Sequence, residues 1–268
     1  MIPAIATVTL GGDIKNKLQA IANAGFHSIE LFDTDLDTFK GSPKELGQLI
    51  HDFNLNLASY FPLRNFEGMP ESKRSIVFEN AQRYLDVAIE LKASMVMICS
   101  NTDPISLSDD NRIAADLNQL GQIAKERDLK IAYEALAWGV HVNDYRHATR
   151  LVKDADHPSV GLVLDTFHIL SRKTDVLNIR DIPCKDIFLV QISDAPILNL
   201  DYLNWSRFHR ILPGEGEFAL NDFVKEVKLT GYDGIVSLEC FNEKLKADDP
   251  NIIAKKGFSA NNSLWNTY

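Results

Sequence analysis

The chain has 268 residues, 45% of them hydrophobic and 24% charged, which suits one soluble globular domain with a substantial core. Its formal net charge of −9 argues against a nucleic-acid surface, and no apolar run is long enough to span a membrane. Three widely spaced cysteines, Cys99, Cys184 and Cys240, form no CxxC pair and read as reduced thiols of a cytoplasmic protein.

The segment Met1-IPAIATVTLGG lacks a basic leader and a small-residue cleavage site, so it reads as a first strand and not as a signal peptide. Asp13 to Ala24 predicts a helix with Leu18, Ile21 and Ala22 on one face and Gly25 as its stop. Ser28-IELF is the second strand and carries Glu30. Ser42-PKELGQLIHDF is a helix with Ser42 as N-cap and Pro43 at its first position. Asn56-LASYFPL is the third strand, followed by the loop FPLRNFEGMP and a long helix from Glu71 to Leu91. Ala93-SMVMICS is the fourth strand, and Ser108 to Arg127 is the helix after it.

The next strands end alike. Lys130-IAYE closes on Glu134, Val160-GLVLD on Asp165, Ile187-FLVQ on Gln191 and Ile235-VSLE on Glu239. A helix from Val142 to Ala155 separates the first two. A long insertion, Ser193 to Phe218, follows the seventh strand, and loops of that length at such a place are usually functional. From Asp248 the tail DDPNIIAKKGFSANNSLWNTY reads as helical at first and irregular thereafter.

Repeated strand-then-helix units imply a parallel sheet with right-handed crossovers. Eight strands and no low-complexity linker predict a (β/α)8 TIM barrel spanning residues 1–268 as a single domain, with 249–268 as a divergent tail. In such a barrel the carboxyl ends of the strands ring one mouth, where the chemistry sits. Taken singly, a carboxylate at a strand end is more often a helix N-cap or a solvated residue than a ligand. Four oxygen donors in successive strands shift the balance, because burying several carboxylates together without a cation is costly. Glu134, Asp165, Gln191 and Glu239 would make an all-oxygen cage for a hard divalent cation such as Mg²⁺ or Mn²⁺. His168, three residues after Asp165, stands where it could reach a bound substrate, with His141 further along its own loop. Arg64, Arg207 and Arg210 lie in loops at the mouth and suit a carboxylate, because guanidinium offers two parallel charge-assisted bonds. Glu30 is open between a structural and a supporting role.

The runs EALAWGVHV, LDTFHIL, VQISDAP, LNWSRFHRILPGEGEF and SLECFN together resemble the metal-dependent 3-dehydroshikimate dehydratases of bacterial quinate and shikimate catabolism, members of the xylose-isomerase-like barrel superfamily. The resemblance runs from Ile5 to about Asp249. It implies a lyase that turns 3-dehydroshikimate into protocatechuate and water through a metal-stabilised enolate. The metal ligands it implies are Glu134, Asp165, Gln191 and Glu239, and the cofactor is a divalent cation (Mg²⁺, Mn²⁺ or Co²⁺). Glu134 and His168 are the implied catalytic residues, His168 for proton transfer. Arg64, Ser206 and Arg210 are the implied contacts to the small anionic substrate. Some members carry a second, dioxygenase-like domain after the barrel; whether one accompanies this barrel, and whether the chain forms a homo-oligomer, the sequence leaves open. The alternative activity is a metal-dependent sugar or keto-acid isomerase or epimerase of the same superfamily, which shares the enolate chemistry.

Overall fold

The alternation of β-branched runs with capped helical segments gives eight strands in a computed structural model that describes residues 1–266. They are β1 (Ile2–Ala6), β2 (Ser28–Phe32), β3 (Asn56–Leu63), β4 (Met95–Cys99), β5 (Lys130–Glu134), β6 (Val160–Asp165), β7 (Ile187–Ile192) and β8 (Ile235–Leu238). Each pairs in parallel with the next, and β8 closes on β1, with Ile2 beside Ile235 and Ile5 beside Leu238. The expected (β/α)8 barrel is the observed one. The helices are α1 (Ile14–Ala24), α2 (Asp33–Thr38), α3 (Pro43–Asp52), α4 (Glu71–Glu90), α5 (Asp110–Lys125) and α6 (Tyr145–Ala155). They continue as α7 (Thr166–Ser171), α8 (Tyr202–Phe208), α9 (Leu220–Leu229), α10 (Glu243–Ala247) and α11 (Pro250–Asn266). Among the described residues no helix is long and apolar enough to cross a membrane.

Helix starts follow their caps. Asp13 accepts from the Asn16 N–H at the head of α1, and Ser42 and Glu45 form a reciprocal capping box at α3 with Pro43 inside it. Each such cap contributes about 1 kcal/mol. The helix expected from Val142 begins instead at Tyr145, because Asp144 takes the capping position and accepts from the Arg146 N–H.

The two-residue period of the strands divides the apolar side chains into two cores. Ile131 and Tyr133 of β5, Leu162 and Leu164 of β6 and Val190 of β7 face outward under the helices. Met95, Met97, Ala132, Val163 and Leu189 face inward and fill the barrel. Glu134, Asp165 and Gln191 stand two residues beyond Ala132, Val163 and Leu189, so the same period turns all three into the barrel's mouth. Glu239 continues the inward row of Ile235 and Ser237.

The tail corrects the expectation. It is not irregular after its first turns: α11 runs from Pro250 to Asn266 and packs beside α1. Phe258 meets the edge of Phe26 with ring centroids 5.1 Å apart, and Trp265 is buried. Gly257 lies so close to Leu238 that a Cβ there would collide with it, and the Asn261 side chain donates to the Val236 carbonyl at 3.1 Å. Glycine, asparagine and serine are weak helix formers, so this helix is held by packing and not by propensity.

One buried acid behind the barrel wall sets a pH dependence. Glu67, in the loop after β3, is 1% exposed. Its Oε1 accepts from the Asn101 N–H at 2.6 Å and the Tyr133 hydroxyl at 3.0 Å, and its Oε2 has no partner. Burial pushes the carboxyl up to about 7, against the pull of those hydrogen bonds. A carboxyl raised in the fold binds protons that the unfolded chain has already released. Its contribution is therefore complete below about 4.5, the unfolded value, and is lost as pH rises through about 7. The shift corresponds to roughly 3 kcal/mol. Glu67→Gln is expected to match the native protein in urea unfolding at pH 5 and to exceed it by up to that amount at pH 8. An equal difference at both pH values would sink the assignment.

Candidate active site

Glu134, Asp165, Gln191 and Glu239 are each at most 3% exposed and meet at the carboxyl end of the barrel. Strand register holds them together: Asp165 is level with Gln191, Gln191 with Ser237, and Cys99 with Glu134. Asp165 has a second task, because its Oδ1 accepts from the backbone N–H groups of Phe167 and His168 and so starts α7. Asp165 is thus a helix cap, and its Oδ2 remains directed at the cluster.

Arg210 lies among these carboxylates, 1% exposed. Its Nη1 donates to Asp165 Oδ2 and to Glu239 Oε2, both at 2.7 Å. Nε and Nη2 donate to Ser206 Oγ at 3.1 and 2.9 Å, and Nη2 lies 3.2 Å from His168 Nε2. A guanidinium has five N–H donors. Four of them are given to Ser206, Asp165 and Glu239, so this geometry leaves Arg210 at most one, on Nη2, for a substrate.

His168 is buried against the edge of Trp138, ring centroids 5.0 Å apart. The Ala137 N–H donates to its Nδ1 at 3.0 Å. A backbone N–H can only donate, so the neutral ring carries its proton on Nε2. That nitrogen faces Glu134 Oε1 at 3.5 Å. Burial lowers His168 to about 3, although the charge of Asp165 pulls the other way. Burial, and then the charge of Asp165, pushes Glu134 well above the usual carboxylate range. Burial would raise Asp165 as well, but the Arg210 guanidinium, His168 and the hydrogen bonds from both together outweigh it and hold Asp165 low. Glu239 is raised by burial in spite of Arg210.

The donor set suits a hard cation. Two of its buried oxygens, Glu134 Oε1 and Gln191 Oε1, have no hydrogen-bond donor. Orphaned buried oxygens on converging side chains are the expected mark of a cation site. Donor atoms of Glu134, Asp165 and His168 lie within 4.8 Å of one another, so these three form a candidate metal-binding triad. Sequence reasoning kept His168 apart from the ligands. The fold brings it among them, because α7 starts directly at Asp165.

A cavity of about 220 Å³ opens above the donors, walled by Phe32, Phe61, Trp138 and Phe241 and lined by Arg64, Arg207 and Arg210. Arg64 donates through Nη1 to Asp33 Oδ2 at 2.6 Å, and its side chain is 44% exposed. Arg207 is half-buried, with its guanidinium 4.7 Å from the centroid of the Phe241 ring. It has no ion pair among the described residues. Ser206 accepts from Arg210 and also lines the cavity. His141 is tied to the Ser106 carbonyl at 2.8 Å and lines no part of this cavity.

Several features had no signal in the sequence. The Cys99 thiol donates to Glu134 Oε2 at 3.3 Å, and Gln191 is bound to Glu30 at 3.1 Å. Both pairs join residues on different strands, and only strand register could have foretold them.

Residues 18–260 match the xylose isomerase-like TIM barrel family. The chain belongs to that family. It is 44% identical over 244 residues to a protein of Pseudomonas putida named 3-dehydroshikimate dehydratase. The match covers 91% of this chain and 38% of that relative, so the chain spans well under half the length of the relative it matches. A solved structure described as a xylose isomerase-like TIM barrel/4-hydroxyphenylpyruvate dioxygenase fusion protein superposes with a TM-score of 0.95 at 43% identity. That match covers 97% of this chain and 42% of the fusion. The zinc-bound IOLI protein shares the fold, with a TM-score of 0.89 at 19% identity over 100% of this chain and 99% of its own.

Proposed function

We propose that this barrel is the catalytic unit of a 3-dehydroshikimate dehydratase that releases water and protocatechuate. The observation that carries the reading is one cavity in which a cation-ready oxygen cluster, a histidine–glutamate pair and an unpaired guanidinium converge. The P. putida relative supports it by its name. The three cysteines are free thiols, which agrees with a cytoplasmic setting.

In 3-dehydroshikimate the C4 proton is α to the C3 ketone, and the C5 hydroxyl leaves. Glu134, Asp165, Gln191 and Glu239 would hold a divalent cation (Mg²⁺, Mn²⁺ or Co²⁺), which would supply positive charge where the ketone gains electron density. The protein's own groups do the rest. His168 presents its Nε2–H to the cavity and gives that proton to the departing C5 hydroxyl, while the Glu134 carboxylate beside it takes the C4 proton and passes it to Nε2, so that the pair ends as it began. The aromatic walls exclude water and hold the ring flat. Arg210 and Ser206 line the same cavity but are tied up within the protein: Arg210 fixes Asp165 and Glu239, and Ser206 fixes Arg210.

That arrangement moves recognition of the substrate carboxylate to Arg207, aided by Arg64. Losing a charge-assisted contact costs about 2 kcal/mol, roughly thirtyfold in kcat/KM. Arg207→Gln is expected to show that loss mainly in KM. The analogue with a neutral carboxamide should bind native and variant protein about equally. If the variant loses as much with the carboxamide, Arg207 does not read the carboxylate.

The reading itself is tested by ultraviolet detection of protocatechuate from 3-dehydroshikimate. Chelation is expected to abolish turnover and Mg²⁺, Mn²⁺ or Co²⁺ to restore it. No product with any of these cations would overturn the activity. Full turnover in rigorously metal-free protein would overturn the cation's part in it.

A further inference from the structure

Among the described residues, Glu30 is a buried acid of the barrel's interior to which the proposed reaction gives no part. It is 0% exposed and lies two residues below Phe32, on the inward face of β2. Its Oε2 accepts from Ser59 Oγ at 2.7 Å, and Ser59 is its register partner on β3. Both of its oxygens also face the amide nitrogen of Gln191, at 3.1 and 3.3 Å. The same nitrogen lies 3.5 Å from Met97 Sδ. Gln191 therefore has an acceptor for each of its two amide hydrogens, while its oxygen has no partner at all.

An amide side chain has two faces of opposite sense. Turned one way it offers a cation an oxygen; turned the other way it offers two hydrogens and repels it. Nothing in the glutamine itself decides between them. A carboxyl group behind it does, because at least one oxygen of Glu30 accepts whether or not the other carries a proton, and both face the Gln191 amide nitrogen. We propose that Glu30 is a positioning residue that fixes the Gln191 amide so that its oxygen, not its nitrogen, faces the cation site. The inference rests on the cation site proposed above. It explains why a fully buried acid sits deep in the barrel with no cation against it: its partners are an amide N–H group and a serine hydroxyl. It also explains the choice of a neutral donor at position 191. A fourth carboxylate there would stand directly against Glu30.

The test measures Mn²⁺ affinity, by calorimetry and by the electron paramagnetic resonance of free Mn²⁺, without any reference to turnover. Outer partners of metal ligands commonly affect affinity about 10–100-fold. Glu30→Leu, which removes the acceptor, is expected to weaken Mn²⁺ binding by about that factor. Glu30→Gln keeps one accepting oxygen for Gln191, and Ser59 can turn its hydroxyl to suit, so its affinity should stay within about threefold of native. In a Gln191→Glu background both donor faces are oxygens and orientation is meaningless. Adding Glu30→Leu there should leave affinity unchanged or raise it. Circular dichroism checks the fold of each variant, and Glu30→Met, closer in length, replaces Glu30→Leu if the latter does not fold.

Native affinity in Glu30→Leu or its Met substitute would overturn the inference. So would an equal loss in both backgrounds, which marks general damage, or a loss in Glu30→Gln as large as in Glu30→Leu, which marks charge and not orientation. If the native protein binds no Mn²⁺, the cation site and this inference fall together. If it binds and position 30 has no effect, the inference falls alone.

Discussion

His168→Gln is expected to lower kcat by about two to four orders of magnitude, the usual contribution of a positioned acid–base group. The argument is stereochemical. The Ala137 N–H, 3.0 Å from Nδ1, fixes which nitrogen carries the proton, and Nε2 is the one turned to Glu134 and the cavity. Glutamine fills most of the space and can still accept from Ala137, but it cannot exchange a proton. Mn²⁺ affinity of the variant separates two roles, because His168 is also one of three candidate donors within 4.8 Å of one another. Retained affinity with lost turnover is the expected outcome. Affinity lost together with turnover would make His168 a ligand, and proton transfer would then rest on Glu134 without it.

Arg210→Met is expected to destabilise the metal-free protein by about 3–5 kcal/mol, because removing one member of a buried charge cluster leaves the others uncompensated. Arg210 bridges Asp165 and Glu239 at 2.7 Å each, and all three side chains are at most 4% exposed. The loss should be greatest at pH 8. At lower pH, protonation of the raised Glu134 and Glu239 carboxyls relieves the repulsion, at the cost of the charges themselves. Saturating Mn²⁺ should restore much of the stability, since a cation that binds only the folded state adds free energy as its concentration exceeds its dissociation constant. Urea unfolding in chelator and in Mn²⁺ gives both numbers. An Arg210→Met protein as stable as native in chelator would show that the cluster is held by something other than the guanidinium.

The barrel was readable because each strand carries its own evidence. Runs such as Val160-GLVLD and Ile187-FLVQ are too short and too β-branched for helices, and capped helical segments lie between most of them. The donor cluster was readable for the same reason: position at a strand end is a local property, and the fold turns it into a common location. The surroundings of the cluster were not local. Arg210 lies in a loop 45 residues from Asp165, and nothing in WSRFHR distinguishes a guanidinium buried among carboxylates from one facing substrate. The bond from Gln191 to Glu30 spans 161 residues and depends on barrel closure. The tail failed for a different reason. Gly257, Asn261, Asn262 and Ser263 argue against a helix by propensity. The spacing of Ile253, Gly257, Asn261 and Trp265, one turn apart each time, was the better guide, because packing on α1 and β8 decides that segment.

The last strand of the barrel is also the one that leads into the last oxygen donor. During synthesis on a ribosome, β1 through β7 can emerge and pair while both edges of the sheet remain open. The seam between β1 and β8 needs residues 235–238, and Glu239 follows directly. A nascent chain short of this point has three donors on an unclosed wall and no enclosed cavity. The four proposed donors can therefore come together only when the ring shuts.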